Sequence, residues 1–186
     1  MREVVAKLLS GPGPETPHEY NHVFDLQQTT GPSRLVLAPR RDHVDLLLSL
    51  IEAMPEPLGL LYVLVVPRSE REPGRYQSEE MWDRAVVASF LERFRDALEL
   101  DGRHHLWIAS DDGSMLVYDN HQVIYAYGDL DAFEDLARTH GLVPGDVVYP
   151  APHVHCYHER FDADEAAILD EYAWIRYDLV EEHDDP

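Results

Sequence analysis

The side chains with the most chemical potential lie together near the end of the chain, in His153-Val154-His155-Cys156-Tyr157-His158-Glu159. Imidazole nitrogen, thiolate sulfur and carboxylate oxygen are the donors that transition metals take, and a site needs three or four of them converging on one point. On an extended chain side chains alternate between faces, so His153 and His155 share a face while Cys156 and His158 emerge on the other. The expected core of a metal site is therefore His153 with His155. His158 is a further imidazole in the same segment. His104, His105 or His121, or the carboxylates of Asp111 and Asp112, would complete the set if their strands lie alongside. Zinc or another divalent metal would suit these donors, although no cofactor is firmly implied. The competing reading is ordinary surface or hydrogen-bonded histidines on an edge strand, because H-x-H is a short motif.

Other chemistries find less support. The chain has no G-x-S-x-G elbow, no phosphate-binding P-loop, no G-x-G-x-x-G and no HExxH, so no catalytic nucleophile is assigned. Cys156 sits beside His155, yet adjacent strand residues point opposite ways, so it would need a base from elsewhere. The alternating three-histidine motif of the histidine-triad nucleotide hydrolases is not met, since Tyr157 stands where its third histidine would be.

Charge makes the strongest statement of the composition. The formal net charge is −21, and residues 101–186 carry 20 acidic against 4 basic side chains, whereas residues 1–100 carry 16 against 11. A nucleic-acid backbone needs a basic face, so nucleic acid is excluded as a partner. A basic protein, a cation or plain solubility fits better. Lys7 is the only lysine, consistent with a GC-rich or salt-adapted bacterial source. No apolar run approaches the ~18–20 residues that span a bilayer. The opening MREVVAKLLSG carries Glu3 and only a brief apolar patch, unlike a secretory signal. A lone Cys156 rules out an internal disulfide, so a cytoplasmic setting is expected.

The elements that would position these residues can be read from periodicity. Residues 1–9 suggest a short helix with Val4, Val5, Leu8 and Leu9 on one side, broken by the proline- and glycine-rich Gly11–Pro17. Strands are expected at Val23–Gln28 and Arg34–Ala38. A helix follows, capped by Asp42 with Asp45 in the capping-box position, its stripe formed by Val44, Leu47, Leu48 and Ile51. Leu58–Val66 is apolar throughout, as in a central strand, so strand, helix and strand suggest a βαβ unit near Leu37 and Leu64. Pro67–Gln77 reads as a polar loop. Ser78 is expected to cap a long helix to Leu100 whose stripe is Trp82, Val86, Phe90, Phe94 and Leu98, ended by a left-handed Gly102.

His104–Gly141 gives the clearest architecture: three short strands around turns at Asp111-Asp112-Gly113 and Asp119-Asn120-His121, then a helix capped by Asp131 with Glu134 and stopped by Gly141. Asp162 with Glu165 suggests a further capped helix. Trp174–Val180 fits either strand or helix, and EEHDDP is a charged tail expected to fray.

These elements imply one α+β domain over residues 1–186, with a mixed, mostly antiparallel sheet of five to seven strands and helices chiefly on one face. Two functional expectations follow. One is an acidic protein-binding module, of inhibitor or immunity type, that meets a basic partner through Tyr118, Tyr125, Tyr127, Asp129, Asp131 and Asp135. The other is a metal-dependent hydrolase built on His153 and His155. A structural subunit of a larger assembly is the third, and the sequence leaves oligomeric state open.

Overall fold

Alternating apolar residues draw most of the chain into one large sheet. A computed structural model describes residues 5–11 and 16–180. In chain order the elements are β1 (Leu8–Ser10), β2 (Thr16–Pro17), β3 (Val23–Gln27), β4 (Arg34–Ala38), α1 (His43–Glu52), β5 (Leu58–Leu64) and β6 (Gly74–Ser78). Then come α2 (Arg84–Arg93), α3 (Arg95–Leu100), β7 (His104–Ser110), β8 (Met115–Tyr118), β9 (Ile124–Tyr127) and α4 (Leu130–Thr139). The chain continues through β10 (Val143–Pro144), β11 (His153–His155), a single 3-10 turn at Glu159–Phe161, α5 (Asp162–Glu171) and β12 (Trp174–Tyr177).

Nine strands form a mixed sheet in the order β10-β3-β4-β9-β8-β7-β5-β6-β12, antiparallel except for the short β10–β3 pair. The α+β reading therefore stands, with more strands than expected. The βαβ unit is present in split form: β4 and β5 run in the same direction on either side of α1, with β9, β8 and β7 between them. One face of the sheet presents Leu35, Leu60, Leu106, Leu116 and Ile124, and side chains from all five helices join them in a single core. That face satisfies the apolar stripes of the helices by burial. The opposite face is only partly covered. Tyr20, Val23, Val36, Ala38 and Val123 make a small cluster near β3, Val63, Val117 and His105 are also buried, and Trp107, Tyr125 and Tyr127 are only half-covered.

A second sheet, β11-β1-β2, closes one end of the first. Leu8 lies opposite His155 and Ser10 opposite His153. The residues before this strand lock it in place. The Cys156 N–H donates to the Lys7 carbonyl (3.0 Å) and the Gly102 N–H to the Cys156 carbonyl (2.9 Å). Lys7 itself is fully buried; its Nζ donates to the Leu98 carbonyl at 3.0 Å and stands 4.0 Å above the Tyr118 ring. Burial pushes this ammonium down to a pKa of about 8, partly offset by the charges of Asp119, Asp101 and Glu99.

Nearby, Arg103 is buried in a charge network. Its Nε and Nη2 grip Asp101 (2.9 and 3.0 Å), Nη1 donates to Glu165 (2.6 Å), and Nη2 also reaches the His158 carbonyl (2.7 Å). Such a network is tolerable only because nearly every donor has an acceptor.

Several local expectations are corrected. Leu8–Ser10 is a strand, not part of a helix, because it finds β11 as a partner; Val4, part of the Gly11–Pro17 break and the tail from 181 fall outside the described residues. Within the expected Pro67–Gln77 loop lies β6, held between β5 and β12, with Tyr76 and Ser78 buried. Ser78 is therefore no helix cap. The helix starts at Arg84 and breaks at Phe94 into two pieces, although Phe90, Phe94 and Leu98 keep their buried stripe.

Asp42 adopts a left-handed conformation (φ 59°) and caps nothing with its side chain; Glu99 Oε1 accepts from the Val44 N–H instead (2.7 Å). The cap of α4 is Asp129, not Asp131, accepting from the Ala132 N–H at 3.1 Å. Asp162 and Glu165 form no capping box because both carboxylates are drawn to arginines, Arg68 and Arg103. Gly102 is not a left-handed cap. It permits close approach, since a Cβ there would meet the Lys7 carbonyl oxygen and His155 Cβ, each at 3.1 Å. Trp174–Tyr177 is a strand.

Candidate metal centre

His121, His153 and His155 converge where the two sheets meet, with one ligand nitrogen of each lying within 4.8 Å of the others. His121 comes from the tight β8–β9 connection. Asp119 shapes that turn: its Oδ1 accepts from the Val123 N–H (2.9 Å), and Gln122 takes a left-handed φ of 66°. Gln122 Nε2 ties the turn to the Glu99 carbonyl on α3 (3.2 Å). His153 and His155 project from alternate positions of β11, on one face, as the alternation of an extended chain requires.

The hydrogen bonds around the cluster fix its chemistry. The carbonyl of Pro150 lies 2.9 Å from His153 Nδ1, and a carbonyl can only accept, so this nitrogen carries the proton. Asp119 Oδ2 lies 3.4 Å from His121 Nδ1 and favours a proton there too. With the proton on Nδ1 alone, each ring presents an Nε2 lone pair, and these two atoms face each other at 3.3 Å. Two lone pairs at that distance call for a shared cation, either a proton or a metal. Tetrahedral zinc with Zn–N of about 2.0–2.1 Å separates its ligand nitrogens by roughly 3.3–3.4 Å. The His121–His153 spacing already matches. Partners of this kind on the far ring nitrogen orient metal-binding histidines in general.

His155 is half-buried, and neither of its ring nitrogens has a hydrogen-bond partner among the described residues. Burial lowers its pKa to about 4, helped by His121 and His153, so it is a neutral donor at ordinary pH. Three imidazoles around a tetrahedral ion would leave one position for water or substrate.

The remaining expected ligands do not join this cluster. His158 Nε2 is engaged with the Ala6 carbonyl (2.9 Å), and its N–H donates to Asp101 (2.7 Å), so it fastens the N-terminal segment. His104 is buried on the helix side of the sheet, 3.3 Å from the Tyr62 hydroxyl. His105 points to the open face and lines a groove that His121 also borders. Asp111 and Asp112 lie in the β7–β8 turn, where Asp112 bonds Ser110 and Ser114.

The six residues of the expected interaction surface do not form one patch. Tyr118 is buried between Lys7 and His43 on the helix side. Tyr125 and Tyr127 are half-buried on the open face, Asp129 caps α4, and only Asp131 and Asp135 are simple exposed carboxylates.

Sequence reasoning missed Asp119 and Tyr149. Tyr149 packs edge-on against His121 with ring centroids 5.8 Å apart, and its hydroxyl meets that of Tyr125. The only sequence signal for Asp119 is its place two residues before a turn histidine. No helix among the described residues is long and apolar enough to cross a membrane. Comparison with known protein families, with curated proteins and with solved structures returns no match for this chain.

Proposed function

We propose that this chain is a metal-dependent hydrolase whose centre is His121, His153 and His155. The observation that carries the reading is the 3.3 Å approach of two histidine Nε2 atoms, with the Pro150 carbonyl 2.9 Å from the far nitrogen of His153 and the Asp119 carboxylate 3.4 Å from that of His121. A divalent ion held by three neutral imidazoles keeps its full double charge and can lower the pKa of a bound water from about 15.7 to about 7. Zinc is the first choice on donor type, with other divalent ions next. Asp119 would act by orienting His121, and Tyr149 would border the open position.

The test uses protein prepared without a histidine tag, stripped with chelator and titrated with zinc. Binding of one equivalent is expected in the wild type and loss of that binding in His121→Ala and His153→Ala. Zinc-dependent hydrolysis of an activated aryl ester should follow the same pattern. Less than a tenth of an equivalent bound, with melting unchanged by chelator, would overturn the reading.

The acidic C-terminal half still supports a second reading, docking of a basic protein. It rests on charge alone, because Tyr118 lies in the core rather than at the surface.

A further inference from the structure

The open face of the sheet carries a groove of about 350 Å³ that begins at the histidine cluster. His121 and Asp119 form one end, Arg34 lines another part, and Trp107, Tyr125 and Tyr127 supply aromatic surface between. Tyr125 links the parts: its hydroxyl is 3.4 Å from Asp119 Oδ2, and its ring lies 4.6 Å beneath the Arg34 guanidinium.

Arg34 is unusual for this chain. Most arginines pair with carboxylates, such as Arg93 with Glu171 and Arg138 with Glu134. Arg34 instead donates to neutral acceptors, Gln27 Oε1 from Nε and Nη2 (3.1 and 3.0 Å) and the Tyr127 hydroxyl from Nη1 (3.2 Å). A guanidinium has five N–H donors, so two remain without an acceptor among the described residues. Its full positive charge is therefore held rigidly over an aromatic ring, at the edge of a cavity, with donors to spare. That is the geometry in which arginine recognises a carboxylate through a fork of two hydrogen bonds.

The surrounding charge narrows the ligand. A net charge of −21 repels a polyanion, but remote carboxylates are screened beyond about 8 Å at physiological salt, so the groove's own charges decide: Asp119 at the histidine end, Arg34 away from it, and Arg75, whose guanidinium stands 5.8 Å from the Trp107 ring centroid. Aromatic walls favour a planar, apolar body.

We infer that the groove binds small arylcarboxylate monoanions, with the carboxylate on Arg34 and the ring against Trp107 and Tyr125. The inference rests on the hydrolase reading only at the histidine end, where it names the substrate class: an arylcarboxylate carrying a second ester or amide group. Hydrolysis of the ester consumes one water, whose oxygen bonds the acyl carbon as the acyl–oxygen bond breaks; the leaving alcohol takes one proton and the new carboxylic acid releases the other.

The experiment uses the full chain stripped of metal, with benzoate, acetate and benzyl alcohol as probes in calorimetric and ligand-observed NMR titrations. Benzoate should bind saturably in the millimolar range or better, and both acetate and benzyl alcohol should bind at least tenfold more weakly. Arg34→Gln should weaken benzoate at least tenfold and leave benzyl alcohol unchanged, while Trp107→Leu should weaken both. Melting curves show whether each variant is folded, and if Arg34→Gln is not, Arg34→Lys replaces it with an intermediate loss expected. No saturable benzoate binding in the wild type, or equal binding in the folded arginine variant, overturns the inference. Because metal is absent, benzoate binding in a protein that fails to take zinc would sink the hydrolase reading alone. Zinc binding without a benzoate site would sink this one alone.

Discussion

Raising the pH from neutral should make this protein more stable, and Lys7 is the reason. Its ammonium is fully buried, with one carbonyl acceptor and one ring face as company, and burial brings its pKa from 10.5 to about 8. The unfolded chain keeps the ordinary lysine value, so between these two pH values the unfolded state holds a proton that the folded state has released. Stability then rises with pH, because stability increases wherever the unfolded state binds more protons. Below pH 8 both states are protonated and the penalty is complete, at about 3 kcal/mol for the fall from 10.5 to about 8.

Buried tyrosines such as Tyr62 and Tyr118 hold their protons more tightly in the fold, which reverses the trend near pH 10, so the clean window ends at about 9.5. Within it, between pH 7 and 9.5, linkage gives a gain of about 2 kcal/mol. Urea unfolding across this range measures it, and Lys7→Met should abolish the rise. Because Lys7 is the only lysine, a protein carrying lysine labelled with carbon-13 at Cε alone shows a single side-chain signal whose titration reads the pKa directly. A midpoint near 10.5, or a flat stability profile in the wild type, would refute the reasoning.

Two substitutions test the neighbouring networks. Asp119→Asn keeps an acceptor for the Val123 N–H but removes the anion facing His121 Nδ1, so zinc affinity should drop about 10- to 100-fold with the fold intact by circular dichroism. An unchanged affinity in a calorimetric titration would remove Asp119 from the site. Glu165→Gln leaves the buried Arg103 short of one counter-charge while Asp101 still grips it. A loss of about 3 kcal/mol in urea unfolding is expected, and a loss under about 1 kcal/mol would show the pair to be dispensable.

What the sequence disclosed followed the range of the interactions. The block from His104 to Gly141 was legible because its signals are local: alternation along β7, an Asp-Gly turn with Gly113 at φ 90°, and a positive φ at Gly141 where α4 stops. By contrast β6 hides in a polar stretch, since Arg75 and Gln77 face outward and only its two partner strands make it a strand. Capping failed as a guide wherever a distant charge competed for the same carboxylate, as Arg103 does for Glu165.

The candidate site was half legible. Alternation alone placed His153 and His155 on one face. The selection of His121 over His104 and His105 depends on how the small sheet docks, which no spacing encodes. His158, only three residues from His155, is turned to the Ala6 carbonyl by a contact with the opposite end of the chain.

That small sheet also sets an order of events. β1 pairs locally with β2 along one edge, but its other edge meets β11, where Leu8 lies opposite His155, closing a loop of roughly 150 residues. The hairpins of β7, β8 and β9 are local and face no such wait. The histidine cluster, the burial of Lys7 and the close approach at Gly102 are therefore expected to form late in folding. An ion that needs all three histidines would arrive after the transition state and act as a latch, prolonging the life of the folded protein without hastening its formation.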